Sequence, residues 1–146
     1  MAYESGYMQD RGHKCKKSCE AMGKEFVVGS GGVTQGTFVK SAGGDDITVV
    51  TCGAAGALIG IAMDTRTEGQ TVEVAMDGYH WIIVGTAAAL IPGDWVMSDA
   101  SGMAVEYTCP TAGNETTLGG IVLSTPTDDE DCVCLKVQPD RICSLA

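Results

Sequence analysis

From Glu25 onward the apolar positions fall into short runs divided by glycine clusters, the pattern of β-strands joined by tight turns. Phe26, Val27 and Val28 run into Gly29-Ser30-Gly31-Gly32, and a strand resumes at Thr37, Phe38 and Val39. Gly43-Gly44-Asp45-Asp46 turns the chain into Ile47 to Thr51, and the Gly53 to Gly56 turn precedes the run Leu58 to Met63. Thr71 to Met76 is the next strand, Asp77-Gly78 reads as a turn, and Tyr79 to Val84 is the most aromatic strand. Ala87 to Leu90 suits a single helical turn, Pro92-Gly93-Asp94 leads into Trp95, Val96 and Met97, and Gly120 to Leu123 and Cys132 to Val137 close the series. Strands this short and this regularly spaced predict an all-β small barrel or sandwich. Residues 1 to 24 lack the alternation; there Ser18 to Lys24 reads as one or two helical turns stopped by Gly23.

Within the β region the chain reads as though written twice. Residues 33–76 align with 90–135 once three residues are inserted after Gly113, giving twelve identities. Gly36, Val39 and Ser41 fall on Gly93, Val96 and Ser98, Phe38 falls on Trp95, and Leu58, Gly60 and Ile61 fall on Leu118, Gly120 and Ile121. The same alignment sets Cys52 on Cys109, which would let two thiols approach near a pseudo-twofold axis, within reach of a disulfide. A pair of similar β units with no catalytic motif inside points to a scaffold or binding protein.

Composition narrows this further. The 146 residues make one domain with a core of Val, Ile, Leu, Ala and Met, since aromatics are only 5%. No apolar run reaches transmembrane length and the polar start lacks a signal-peptide core, so a soluble protein made inside a cell is expected. Residues 1–24 carry net charge +2 and the remainder −12. An acidic body repels nucleic acid and anionic membrane, leaving the basic head free to seek an acidic protein surface.

Candidate chemistry is sparse. The seven cysteines lack close metal-binding pairs, and an intracellular setting favours mostly reduced thiols; His13 with Cys15 and Cys19 is the nearest approach to a zinc set. Cys132 and Cys134 share one strand face as small apolar fillers. His80, between Tyr79 and Trp81, reads as a packed imidazole. No nucleophile elbow, phosphate loop or dinucleotide fingerprint is present, and Asp128 to Asp131 lacks EF-hand spacing. No catalytic residue, metal or cofactor is assigned.

The run Ile91-Pro92-Gly93-Asp94-Trp95-Val96, with Gly60-Ile61-Ala62, Val72-Glu73-Val74 and Gly78-Tyr79 before it and Gly119-Gly120-Ile121-Val122 and Val133-Cys134-Leu135 after it, resembles the tailed-phage capsid cement proteins. The resemblance covers about residues 25–137, leaving an N-terminal arm (1–24) and a C-terminal tail (138–146). It implies a small β barrel or β-tulip-like domain and a structural virion protein. Such a protein is assembled in the host cytoplasm and bound as a homotrimer to the outer face of the major capsid protein shell, with no enzyme activity. Its grip is expected from the arm, where Tyr3 and Tyr7 supply rings and Arg11, Lys14, Lys16 and Lys17 supply charge; Trp81 and Trp95 are the candidate subunit contacts, with a place in the core as the equal alternative for both. The alternative is a carbohydrate- or host-surface-binding β module displayed on the capsid, for which Asp94 beside Trp95 is the only suitable pair.

Overall fold

The computed structural model describes residues 22–54, 56–85, 90–108, 115–126 and 131–143, and among these there is no helix. Nine strands follow one another: β1 (Met22–Val28), β2 (Phe38–Ser41), β3 (Thr48–Thr51), β4 (Leu58–Ala62), β5 (Thr71–Ile83), β6 (Trp95–Ser98), β7 (Ala104–Glu106), β8 (Glu115–Val122) and β9 (Cys132–Cys143). The alternation that predicted them is visible in the burial: Val72 and Val74 of β5 face inward and Thr71 and Glu73 outward.

The first five strands close a ring. β1 pairs β3 in parallel, and antiparallel pairings carry the ring through β2, β4 and β5 back to β1. A second ring uses the same order. The second part of β5 pairs β9, then β8, β6 and β7 follow, and a parallel bridge from Ala104 to Val84 returns to the end of β5. Closure gives each strand two neighbours and removes the exposed edge that makes isolated sheets aggregate.

The two rings match bond for bond. Gly36 N donates to Ala62 O at 2.9 Å as Gly93 N does to Val122 O at 2.7 Å. Val28 N donates to Gln70 O as Val84 N does to Asp131 O, both at 2.8 Å. Phe38 opposes Ile61 in one ring, and Trp95 opposes Ile121 in the other. Inside the rings Val28, Val39, Ala62 and Val74 have Val84, Val96, Val122 and Leu135 as counterparts, all fully buried. Burying each valine or leucine among them contributes roughly 1.5–3 kcal/mol.

Four sequence expectations change. Asp77-Gly78 is not a reversal: β5 continues through it without a break. Gly78, at φ +85°, kinks the strand where its partner changes from β1 to β9, Met22 opposing Asp77 and Val137 opposing Gly78. Met22 to Lys24 are strand rather than helix, because β5 offers them a pairing edge. The segment read as a tail from 138 is β9 as far as Cys143, paired along β8. Finally, Cys52 is the counterpart of Tyr107 and not of Cys109: Cys52 N donates to Phe38 O as Tyr107 N does to Trp95 O. The second hairpin is two residues shorter, since Ser41 pairs with Val49 but Ser98 with Ala104. Ala87 to Ala89 lie outside the described residues.

Candidate functional site

The two rings are stacked so that the outer face of the first packs on the second. Side chains alternate across a strand, so the residues flanking the inward Val39 and Ala62 point out of the first ring. Those outward residues, Phe38, Ile61 and Ala75, are nevertheless fully buried, in one cluster with the interior of the second ring. Phe38 is the key. Gly119 of β8 stands where the first ring has Ile59, and a Cβ at Gly119 would overlap the Phe38 ring. The missing side chain leaves a hollow that the phenyl group fills. Phe38 N donates to Gly102 O at 2.7 Å and Ile83 N to Gly36 O at 2.8 Å, which fixes the stacking.

Among the described residues nothing covers the counterpart face on the second ring. Trp95 stands where the first ring has Phe38 and is 37% exposed; Ile91 and Leu123 are 61% and 44% exposed, and Ile121 is half-buried. Lys136, counterpart of Ala75, lies exposed opposite Ile121. The turn that presents Trp95 is held by Asp94, whose Oδ2 accepts from Ile91 N at 3.0 Å and whose N–H donates to Ile91 O at 3.1 Å. That use of the carboxylate for turn geometry weakens Asp94 with Trp95 as a sugar site. Monomers seldom present apolar side chains this large side by side without a partner.

A second apolar surface is an open groove of about 420 Å³ lined by Ala57, Leu58, Ile59, Met76, Thr117, Pro139 and Asp140. Met76 is 38% exposed there. Ile59, partly buried against the first ring's core, is the positional counterpart of Gly119, so the first-ring side of the groove corresponds to the seat that receives Phe38, while Thr117, Pro139 and Asp140 of β8 and β9 form its other wall.

The remaining candidates resolve as follows. Trp81 is fully buried, packed with Ile83, Cys132 and Cys134, and so is not available to another subunit. His80 is also buried, and its Nδ1 donates to Trp81 O at 2.8 Å. Burial lowers its pKa below the usual histidine value, against the opposing pull of that hydrogen bond and of Asp64. The imidazole is a neutral core group. Cys52 is a free buried thiol, and burial raises its pKa; Cys132 is buried in the cluster around Trp81. Cys134 is disulfide-bonded, which corrects its reading as a simple apolar filler. Among the described residues no three His, Cys, Asp or Glu side chains gather around a metal position. Asp45 is a turn residue, accepting from Ile47 N and Thr48 N at 3.0 and 2.8 Å, and those bonds lower its pKa. The arm residues Tyr3, Tyr7, Arg11, Lys14, Lys16 and Lys17 lie outside the described residues, as do His13, Cys15, Cys19, Cys109 and the acidic run 128–130.

Sequence reasoning found Trp95 but missed Ile91, Leu123 and the Ile59–Met76 groove. A signal existed: the alignment sets Leu123 on Met63 and Ile121 on Ile61, apolar pairs at outward positions.

Comparison with known proteins adds three findings. A family model for phage cement proteins matches residues 22–137, from the start of β1 into β9. The N base of the head fiber of bacteriophage phi29, known from a crystal structure, is similar with a TM-score of 0.61 and 18% identity, over 80% of this chain and 92% of that one. At that identity the likeness is one of fold. No curated protein matches the chain.

Proposed function

The chain belongs to the phage cement protein family, a family of structural capsid proteins rather than enzymes, and we propose that it binds the outer surface of the major capsid protein shell as a trimer and stabilises it. The family match across the whole double ring carries this reading. Two features fit it: an apolar face around Trp95 that nothing among the described residues covers, and a strong division of charge between basic head and acidic body.

The mechanism is additive. A trimer engaging three capsid subunits converts two of its three contacts into intramolecular events, so modest contacts give slow release. The acidic body disfavours acidic capsid surface, whereas Arg11, Lys14, Lys16 and Lys17 favour it, and Tyr3 and Tyr7 add ring contacts. The arm therefore supplies most of the specific grip, and the rigid double ring supplies the spacing. In this reading the protein assembles in the host cytoplasm and resides on the outside of the virion.

Sedimentation with purified empty capsids tests it. Saturable binding, with a raised midpoint for thermal disruption of the shell, is the expected result. Capsids that neither retain the protein nor gain heat resistance exclude the cement role. Retention on immobilised glycans in place of capsids would favour the sugar-binding module.

A further inference from the structure

The stacking of the two rings is a docking operation that the chain performs once on itself and leaves open at one end. Its donor is the outer face of the first ring, led by Phe38; its seat is the surface of the second ring at Gly119. The second ring carries the same donor face, led by Trp95 with Ile121 and Leu123, and that face is exposed. The first ring's counterpart of that seat is the open groove around Ile59 and Met76, whose other wall is Thr117, Pro139 and Asp140 of β8 and β9. After the chain's single use of this docking, one donor face and one counterpart of the seat remain open among the described residues.

From this juxtaposition we infer that the Trp95 face of one copy docks head to tail into the Ile59–Met76 groove of a second copy, and that this contact closes the oligomer. The inference rests on the self-association in the proposed function and names its surfaces. The occupant is another copy of this chain because a unit of the same fold already covers the twin face within the chain, so the interface inside the protein continues between proteins. The seat differs in one respect. Ile59 fills the hollow that Gly119 leaves empty, so the groove is shallow and the broad indole lies across it where the smaller phenyl group of Phe38 inserts. Charge agrees: Lys136, one of only four cations in residues 25–146, borders the donor face, and the body it would meet on another copy is strongly acidic. A contact between two different patches is heterologous, and it yields a closed ring when its rotation closes.

The test is sedimentation equilibrium of the full chain, as wild type and as the separate variants Trp95→Glu and Met76→Glu, with circular dichroism to verify folding. Both substitutions fall at exposed positions. Each should weaken self-association at least about 100-fold and sediment as a monomer. Mixed together, the two should form a dimer that grows no further, because each variant retains the surface the other lacks. That rescue is the signature of head-to-tail docking. Variants that remain oligomeric like wild type overturn the assignment of surfaces while leaving self-association intact. Monomeric variants whose mixture also stays monomeric overturn the head-to-tail pairing. A wild type monomeric at about 100 μM removes the self-association reading together with this inference. Loss of capsid binding by Trp95→Glu from such a monomer would give the face to the capsid instead.

Discussion

Phe38 and Trp95 occupy the same place in two rings of the same strand order, yet one is buried and the other stands at the surface. Nothing in their own strands accounts for the difference. Each follows a glycine turn, precedes an inward valine, and opposes an isoleucine on the neighbouring strand. What differs is position in the stack: the first ring has the second beyond its outer face, while among the described residues no further unit lies beyond the second. The comparison teaches that an apolar outward position in a tandem repeat is a core position where another unit covers it and an exposed face where none does.

The sharpest way to break the comparison is to truncate both residues. Phe38→Ala should cost about 3–5 kcal/mol of folding stability, the cost of emptying a packed aromatic site. Trp95→Ala should cost the isolated monomer about 1 kcal/mol or less. Urea denaturation at dilute concentration measures both, and equal losses would mean that the two faces are not differently covered.

The seat at Gly119 gives the next largest effect. Gly119→Ala should destabilise by about 1–3 kcal/mol through overlap with the Phe38 ring. In a Phe38→Ala background the added methyl enters vacated space, so its penalty should vanish. A double-mutant cycle without coupling would show that Phe38 does not fill the hollow.

Deleting residues 2–21 separates head from rings. β1, which begins at Met22, is spared, so the β signature and oligomer should survive while capsid affinity falls about tenfold, or ~1.4 kcal/mol. Unchanged saturation of capsids by the truncated protein would transfer the grip to the rings themselves.

The smallest effect sharpens a contrast inside the rings. The counterpart of His80 in the first ring is Lys24, which is exposed and holds its ammonium 5.6 Å from the Phe26 ring centroid. His80 is buried and neutral, with its pKa lowered below the ordinary value of 6.5 by desolvation. On acidification the unfolded chain takes up a proton at this site before the folded one does. The stability it contributes is therefore complete above about pH 6.5 and is lost as pH falls from there through the depressed folded value. His80→Gln should flatten the stability profile in that window, and an unaltered slope would rule out a buried neutral imidazole.

Much of this architecture was legible from residue pattern. Glycine clusters between short apolar runs marked the strands, and the Gly36–Val39 and Gly93–Val96 matches placed equivalent segments, because pleat alternation and turn chemistry are local. Errors arose where a local signal had two outcomes. Asp77-Gly78 is turn-like, but a positive φ at one glycine serves a kink as well as a reversal, and the pairing edges of β1 and β9 chose the kink. Cys52 and Cys109 share a letter, but a hairpin shorter by two residues moved Tyr107 into the matching place. Met22 to Lys24 have no alternation of their own and became strand only because β5 presented an edge.

The sequence by itself determined that this protein is all-β, that its inward positions are aliphatic, and that its charge is divided between head and body. Those properties depend on neighbours along the chain and on composition. Which apolar outward face is core and which is free was decided only by tertiary structure. Burial is a property of what lies across the gap: Gly119 supplies the hollow for Phe38, and among the described residues nothing covers Trp95 in the same way. The buried fate of Trp81, read from sequence as a companion of Trp95, was settled the same way, by the packing of Ile83, Cys132 and Cys134 around it.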